Sequence, residues 1–138
     1  MSPQPPSFSA FFGLQLERNF VSEPKLLDKL EFNCLENEEI ARAIVETGRK
    51  TLLLAGMEGH VCIFHTGVGA LRLGLRVHVA HDAVTSRSVS DKQTGMHRLD
   101  RAGAVISSTE MMIFELLNRA GTREFRALLP LFKRLHSS

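Results

Sequence analysis

No stretch of this chain is apolar for anything near the roughly 18 residues that a membrane span requires. Its opening residues, Met1-Ser2-Pro3-Gln4-Pro5-Pro6-Ser7-Phe8, lack the charged start and long apolar middle of a signal peptide. These two absences lead to the expectation of a cytoplasmic protein with no membrane partner. Basic blocks are missing as well. The 17 Lys and Arg residues are scattered among 15 Asp and Glu, for a formal charge of +2, so no nucleic-acid footprint is expected. Cysteine is scarce. Cys34 and Cys62 are the only two, and without an export signal they read as free thiols and not as a disulfide framework. Internal repeats are also absent, and 138 residues make about one domain. What is present is an ordinary share of hydrophobic residues, 43%, enough for a real core.

Along the chain, residues 1–28 have a cluster of prolines at the start, aromatics at Phe8, Phe11 and Phe12, and no clean period. They read as an irregular N-terminal arm, ahead of a domain over 29–138. Ile40, Ala41, Ile44 and Val45 recur at helical spacing and Gly48 supplies a stop. Thr51 to Ala55 is a short apolar run suited to a strand buried on both faces. A helix over about His60 to Leu73, a strand at Arg76 to Ala80 and a helix capped by Ser88 or Ser90 follow. A strand at Ala104 to Ser107 leads to a helix capped by Thr109 and ended by Gly121. A last helix holds Phe125, Leu128, Leu129 and Phe132, with Pro130 expected to kink or divide it. This alternation predicts an α/β fold: a three-layer α/β/α sandwich on a parallel, Rossmann-like sheet with right-handed crossovers. Only three strands are visible, so the edge beside the first strand looks unfinished: the arm covers it, another subunit does, or an N-terminal portion is absent, and a homo-oligomer is expected.

The stretch Leu52 to Cys62, L-L-L-A-G-M-E-G-H-V-C, runs from an apolar strand through a tight turn to a thiol at a helix start. In a doubly wound sheet this is the carboxyl end of a strand, where ligands collect. Helix N-terminal amides favour an anion there, which suits a thiolate nucleophile, and neighbouring backbone N–H groups can hold a developing oxyanion. A cysteine at such a junction also reads as a small buried hydrophobe. Both readings stand on these residues alone.

Gly56-Met57-Glu58-Gly59-His60-Val61-Cys62 resembles the nucleophile motif of the isochorismatase-like cysteine hydrolases, Gly-apolar-Glu-x-His-x-Cys. Lys29-Leu30-Glu31-Phe32-Asn33-Cys34 is similar to that family's Lys-x-x-Phe-Ser element. Asp82-Ala83-Val84-Thr85-Ser86-Arg87 is similar to its Asp-Ala-x-x-Ser-Arg segment. Ala102 to Glu110 with Phe114-Glu115-Leu116-Leu117 resembles its C-terminal strand and helix. These motifs stand in the family's order over about residues 26–135. The resemblance implies covalent hydrolysis of a small amide or related C–N bond, less often a vinyl ether. It makes Cys62 the nucleophile and Lys29 the stabiliser of its thiolate. The backbone N–H groups of Glu58 and Cys62 would form the oxyanion hole, and the Met57-Glu58 peptide bond would be cis. No cofactor is expected, and no metal, since the metal ligands of the family's nicotinamidase branch come from the N-terminal region missing here. The family's third catalytic residue, an Asp, follows an apolar first strand. The acids ahead of Lys29 are Glu17, Glu23 and Asp28, and none follows such a strand. The chain therefore reads as a shortened member lacking the family's first strands. Three readings follow: an active hydrolase on an unidentified small molecule, a catalytically inactive structural or interaction protein, or a truncated reading frame of a complete enzyme.

Other candidates have plainer readings. His60, Cys62 and His65 could suggest zinc, but in a helix His60 and Cys62 would point apart, which argues against it. Gly67 and Gly69 fall inside a helix and suit close packing better than dinucleotide binding. Arg87 is either an anion contact or structural, Asp82 braces its loop, and Cys34 packs as a small hydrophobe beside Phe32.

Overall fold

Thr51–Met57 forms the first strand, β1, of a sheet whose other strands are β2 (Arg76–Thr85) and β3 (Val105–Ser107). In this computed structural model, which describes residues 25–136, all neighbours are parallel and the order is β1-β2-β3. Helix α1 (Glu38–Glu46) precedes β1, α2 (Phe64–Arg72) joins β1 to β2, and α3 (Val89–Ala102) joins β2 to β3. Helices α4 (Thr109–Leu117) and α5 (Arg123–His136) follow. This is the expected α/β architecture of a parallel sheet flanked by helices. Strands met in sequential order through crossovers of one hand receive their connecting helices on one face, and α2 and α3 do pack on each other.

That face holds the core. Ala70 of α2 and Met96 and Leu99 of α3 meet Val77 and Val79, with Ile63, Val84 and Ala104 completing the buried cluster and Leu52, Leu54 and Ile106 packed against it. Alternation of side chains along a strand sends the intervening residues to the other face. There α4 lies against β2 where Ala80 and Ser107 are buried, while Leu53, Met57 and Val105 remain exposed. The expectation that β1 is buried on both faces is therefore corrected. Its burial alternates residue by residue, because the described helices beside it cover only the face shared with Val77 and Val79.

Several boundaries differ from the sequence expectation. Leu54 pairs with Val79 but Gly56 pairs with Val84, so β2 makes an excursion over residues 81–83 and rejoins β1. The polar pair His81-Asp82 breaks the strand pattern, which is why the reading stopped at Ala80. The helix expected from His60 begins as a π-helical turn over Gly59–Ile63 and becomes α-helical at Phe64. Ser108, one residue before Thr109, caps α4, its hydroxyl accepting from the Met111 N–H at 3.2 Å. That helix ends at Asn118, with φ of 64°, ahead of Gly121. Pro130 lies within α5 without dividing it. The apolar face of α5 continues across it, with Phe125 and Phe132 both meeting Phe114, the latter stacked at 4.9 Å. The expected arm falls on residues before 25, outside the described residues, apart from its last four.

Candidate functional site

Gly56, with φ of 117°, takes a backbone conformation that a side chain would resist, and it turns the chain at the carboxyl end of β1. The next peptide bond, Met57-Glu58, is cis, as the family resemblance implied. The π-helical turn then winds around the Glu58 carbonyl, which accepts from the Val61 N–H at 3.1 Å and from the Ile63 N–H at 3.2 Å. The Gly59 N–H donates to Ser86 Oγ at 3.0 Å, and the same hydroxyl meets His60 Nδ1 at 3.0 Å. The β2 excursion is what makes this possible, because pairing of Gly56 and Met57 with Val84 and Thr85 carries Ser86 alongside Gly59. Glu58 Oε1 pairs with Arg87 Nε at 2.8 Å. Its other oxygen is buried without a hydrogen bond and lies 3.5 Å from His60 Nε2, which is itself 3.8 Å from Asp91 Oδ2. Helix α3 presses on the turn through Gly95, where a Cβ would lie 2.9 Å from both the Gly59 oxygen and His60 Cα.

Lys29 reaches the turn from the opposite direction. Its ammonium donates to Cys62 Sγ at 3.3 Å and to the Glu31 carbonyl at 2.8 Å. The segment that carries it has no strand or α-helix, and only a short 3₁₀ turn at Cys34–Glu36 follows. Glu31 Oε2 accepts from the Leu30 N–H at 3.1 Å and from Asn37 Nδ2 at 3.2 Å. Hydrogen bonds from its own backbone amide and from Asn37, with a smaller effect of the Lys29 charge, hold the Glu31 carboxyl below the usual carboxylate range. The structure thus brings together Lys29, Cys62 and the Glu58 to Cys62 turn, residues the sequence places 33 apart at their extremes. Cys62 and Cys34 are both free thiols and half-buried.

The remaining candidates go elsewhere. His65 lies beside Phe32, at 6.3 Å and 29°, and edge-on to Phe64. His60 faces Ser86, Glu58 and Asp91, and Cys62 faces Lys29, so the three metal-capable residues do not converge. No metal-capable group of three is present among the described residues. Arg87 is an ion-pair partner of Glu58. Asp82 Oδ1 accepts from both the Thr109 N–H at 2.8 Å and the Thr109 hydroxyl at 3.0 Å, tying the β2 excursion to the start of α4. A shallow apolar groove lined by Ile44, Thr47, Leu52 and Leu75 sits at the other end of β1, away from Cys62. The sequence reading passed over Thr66, Ser86 as a hydrogen-bonding hub, and Gly95. A polar residue inside an otherwise apolar helix face was the available signal for Thr66.

The family model described as Isochorismatase domain matches residues 8–111. The chain belongs to the isochorismatase family. Among curated proteins, it is 36% identical over 123 residues to the secreted isochorismatase effector Isc1 of Phytophthora sojae, covering 86% of this chain and 58% of that protein. Among solved structures, it resembles the MAR1 ribonuclease of Caenorhabditis elegans with a TM-score of 0.69 at 30% identity, covering 75% of this chain and 53% of that one. A pyrazinamidase/nicotinamidase of Streptococcus mutans superposes with a TM-score of 0.61 at 25% identity, covering 71% and 54%. The chain therefore spans a little over half the length of these relatives. No helix among the described residues is long and apolar enough to cross a membrane.

Proposed function

We propose that this chain is a hydrolase that attacks a small amide or related C–N bond with Cys62. The observation that carries the reading is the Lys29 ammonium donating to Cys62 Sγ at 3.3 Å. A cation at that distance stabilises a thiolate, which is the nucleophilic form of the side chain. In this reading the sulfur attacks the carbonyl carbon. The oxygen takes up the negative charge against the backbone N–H groups of Glu58 and Cys62, the C–N bond breaks as the amine leaves with the proton given up by the thiol, and water then cleaves the thioester, releasing the acid and returning a proton to the sulfur. The turn supports that assignment. Its amides at Gly59, Val61 and Ile63 are engaged by Ser86 and by the Glu58 carbonyl, and the two assigned to the oxyanion are not among these. Family membership and the likeness to a nicotinamidase favour the same chemistry. The Asp that moves protons in the family mechanism follows an apolar first strand and has no counterpart in this sequence, where the acids ahead of Lys29 are Glu17, Glu23 and Asp28.

Two free thiols, one of them serving as a nucleophile, suit a reducing compartment, which is the basis for placing the protein in the cytoplasm. The exposed Leu53, Met57 and Val105 and the open edge of β1 among the described residues support self-association.

The test is alkylation by iodoacetamide followed by intact mass, with hydrolysis of a panel of small amides alongside. Cys62 is expected to react at least tenfold faster than Cys34 at neutral pH. Lys29→Ala should slow Cys62 about tenfold. Cys62→Ala should reduce turnover roughly 10³-fold or more while thermal unfolding is unchanged. Equal reactivity of the two cysteines, with no effect of Lys29→Ala, would favour the catalytically inactive interaction protein.

A further inference from the structure

Lys29 poses a physical problem. Its long side chain has much rotamer freedom to lose, and it stands on a stretch with no ladder or helix to stiffen it. Leu26, Leu30 and Phe32 around it are exposed. Yet its nitrogen is held at one sulfur. Something must fix residues 29–34 in place, and that anchor is found on α2, the helix that grows out of the Cys62 turn.

Thr66 is 3% exposed and polar. A threonine inside a helix ordinarily turns its hydroxyl to a carbonyl one turn back. This hydroxyl instead accepts from the Cys34 N–H at 3.0 Å and donates to the Phe32 carbonyl at 3.5 Å, so its recorded hydrogen bonds go to the Lys29 segment. One turn on, Gly69 leaves the surface of α2 bare, and Asn33 fills the gap. A Cβ there would run into the Asn33 side-chain amide, 2.9 Å from Oδ1 and 3.0 Å from Cγ. Asn33 in turn accepts from the Leu35 N–H at 2.9 Å and caps the 3₁₀ turn. The hydroxyl and the missing side chain together make a slot shaped for Phe32, Asn33 and Cys34.

We infer that Thr66 and Gly69 form the seat that holds residues 32–34 against α2 and thereby delivers the Lys29 ammonium to Cys62. They are positioning residues: neither touches the sulfur, and both act through Lys29. Because the seat lies on the helix that follows the nucleophile, Lys29 and Cys62 share one rigid support, and motion of the exposed segment around Lys29 does not separate them. This inference rests on the nucleophile reading above and deepens it.

The experiment is a mutant cycle read by the rate of Cys62 alkylation with iodoacetamide in the full chain, in a Cys34→Ser background. Thr66→Val keeps the shape and removes the hydroxyl. It should slow Cys62 by about as much as Lys29→Ala does, near tenfold, while Thr66→Ser restores most of the rate. In the Lys29→Ala background Thr66→Val should have no further effect, because the group it positions is gone. Gly69→Ala provides an independent route should Thr66→Val fail to fold. Alanine favours a helix over glycine, so the helix is not weakened, yet its methyl displaces Asn33 and the rate should fall severalfold.

The outcomes separate the two claims. If Lys29→Ala slows Cys62 and neither Thr66→Val nor Gly69→Ala does, the seat is overturned and the nucleophile reading stands. If Thr66→Val slows Cys62 equally with and without Lys29, the hydroxyl acts on the helix itself, and the inference is overturned again. If Lys29→Ala leaves the rate unchanged, both fall together.

Discussion

On one side of Cys62, the turn from Met57 to Ile63 is gripped by close backbone packing: Gly95 of α3 against Gly59 and His60, and Ser86 against the Gly59 amide. On the other side, Lys29 hangs from an irregular segment that is fastened to α2 by one hydroxyl and one bare helix position. The first support is built of regular elements in van der Waals contact, where any added atom must displace backbone. The second is built of a side-chain hydroxyl and of one side chain lodged over a glycine, where loss of a single group frees the segment without disturbing the core. The difference teaches that stability and reactivity are separable here. Damage to the turn side should unfold the protein before it reveals anything about chemistry, whereas damage to the Lys29 side should change the thiol and little else.

The strongest way to break that comparison is Gly95→Ala. The new methyl has backbone on its far side, so the cost should be about 1–3 kcal/mol, seen by calorimetry as a fall in Tm of roughly 5 °C or more. Gly69→Ala, the matching change on the Lys29 side, should leave Tm within about 2 °C. Equal shifts would mean that the two supports do not differ in kind.

A milder change sharpens the picture. Ser86→Ala removes the one hydroxyl shared by the Gly59 N–H and His60, and an amide left without a partner costs about 1–2 kcal/mol. Urea unfolding should show that loss. Ser86→Thr, which retains an oxygen, should recover part of it.

The smallest effect is expected from acid, and it touches both sides. Partial burial works against the Asp82 charge, but hydrogen bonds from the Thr109 amide and hydroxyl outweigh it and hold the carboxyl below its ordinary value. Glu31 is held low as well, by its own amide and Asn37. A carboxyl depressed in the folded state stabilises the fold above its unfolded pKa and loses that contribution as the pH falls through its folded value. Stability should therefore stay flat from pH 7 to about 5 on account of these groups and decline only below about pH 4. Both carboxyls are solvent-facing, so the slope should be shallow, and Asp82→Asn should flatten it further in unfolding measured against pH. A decline that begins at pH 6 would show that another group dominates.

Much of this molecule could be read in advance where the signal is local. The periodicity of Ile40, Ala41, Ile44 and Val45 located α1, and the run Thr51 to Ala55 located β1, each within a few residues. The capping role of Ser88 was visible because a cap and its partner lie three residues apart. The readings that missed were those needing a distant partner. Nothing near His81 announces that β2 leaves β1 and returns at Val84, and nothing near Leu53 says that its face of the sheet is open. The turn at Glu58 was legible as a tight turn, but its cis bond only through its likeness to a family motif and its braces not at all, because neither Ser86 nor Gly95 is close to it in the chain.

By itself the sequence determined the order of strands and helices, the placement of Cys62 after an apolar strand, and the family to which these motifs belong, since each depends on residues a few positions apart. The tertiary structure alone decided how Lys29 is held at Cys62, a pairing that the sequence offered only through the family resemblance, that Thr66 and Gly69 seat the segment between them, and that Ser86 and Gly95 brace the turn. Those contacts join residues about 30 or more positions apart. A hydrogen bond depends on distances of a few tenths of an ångström, and between such distant residues only the packing of strand against helix sets them.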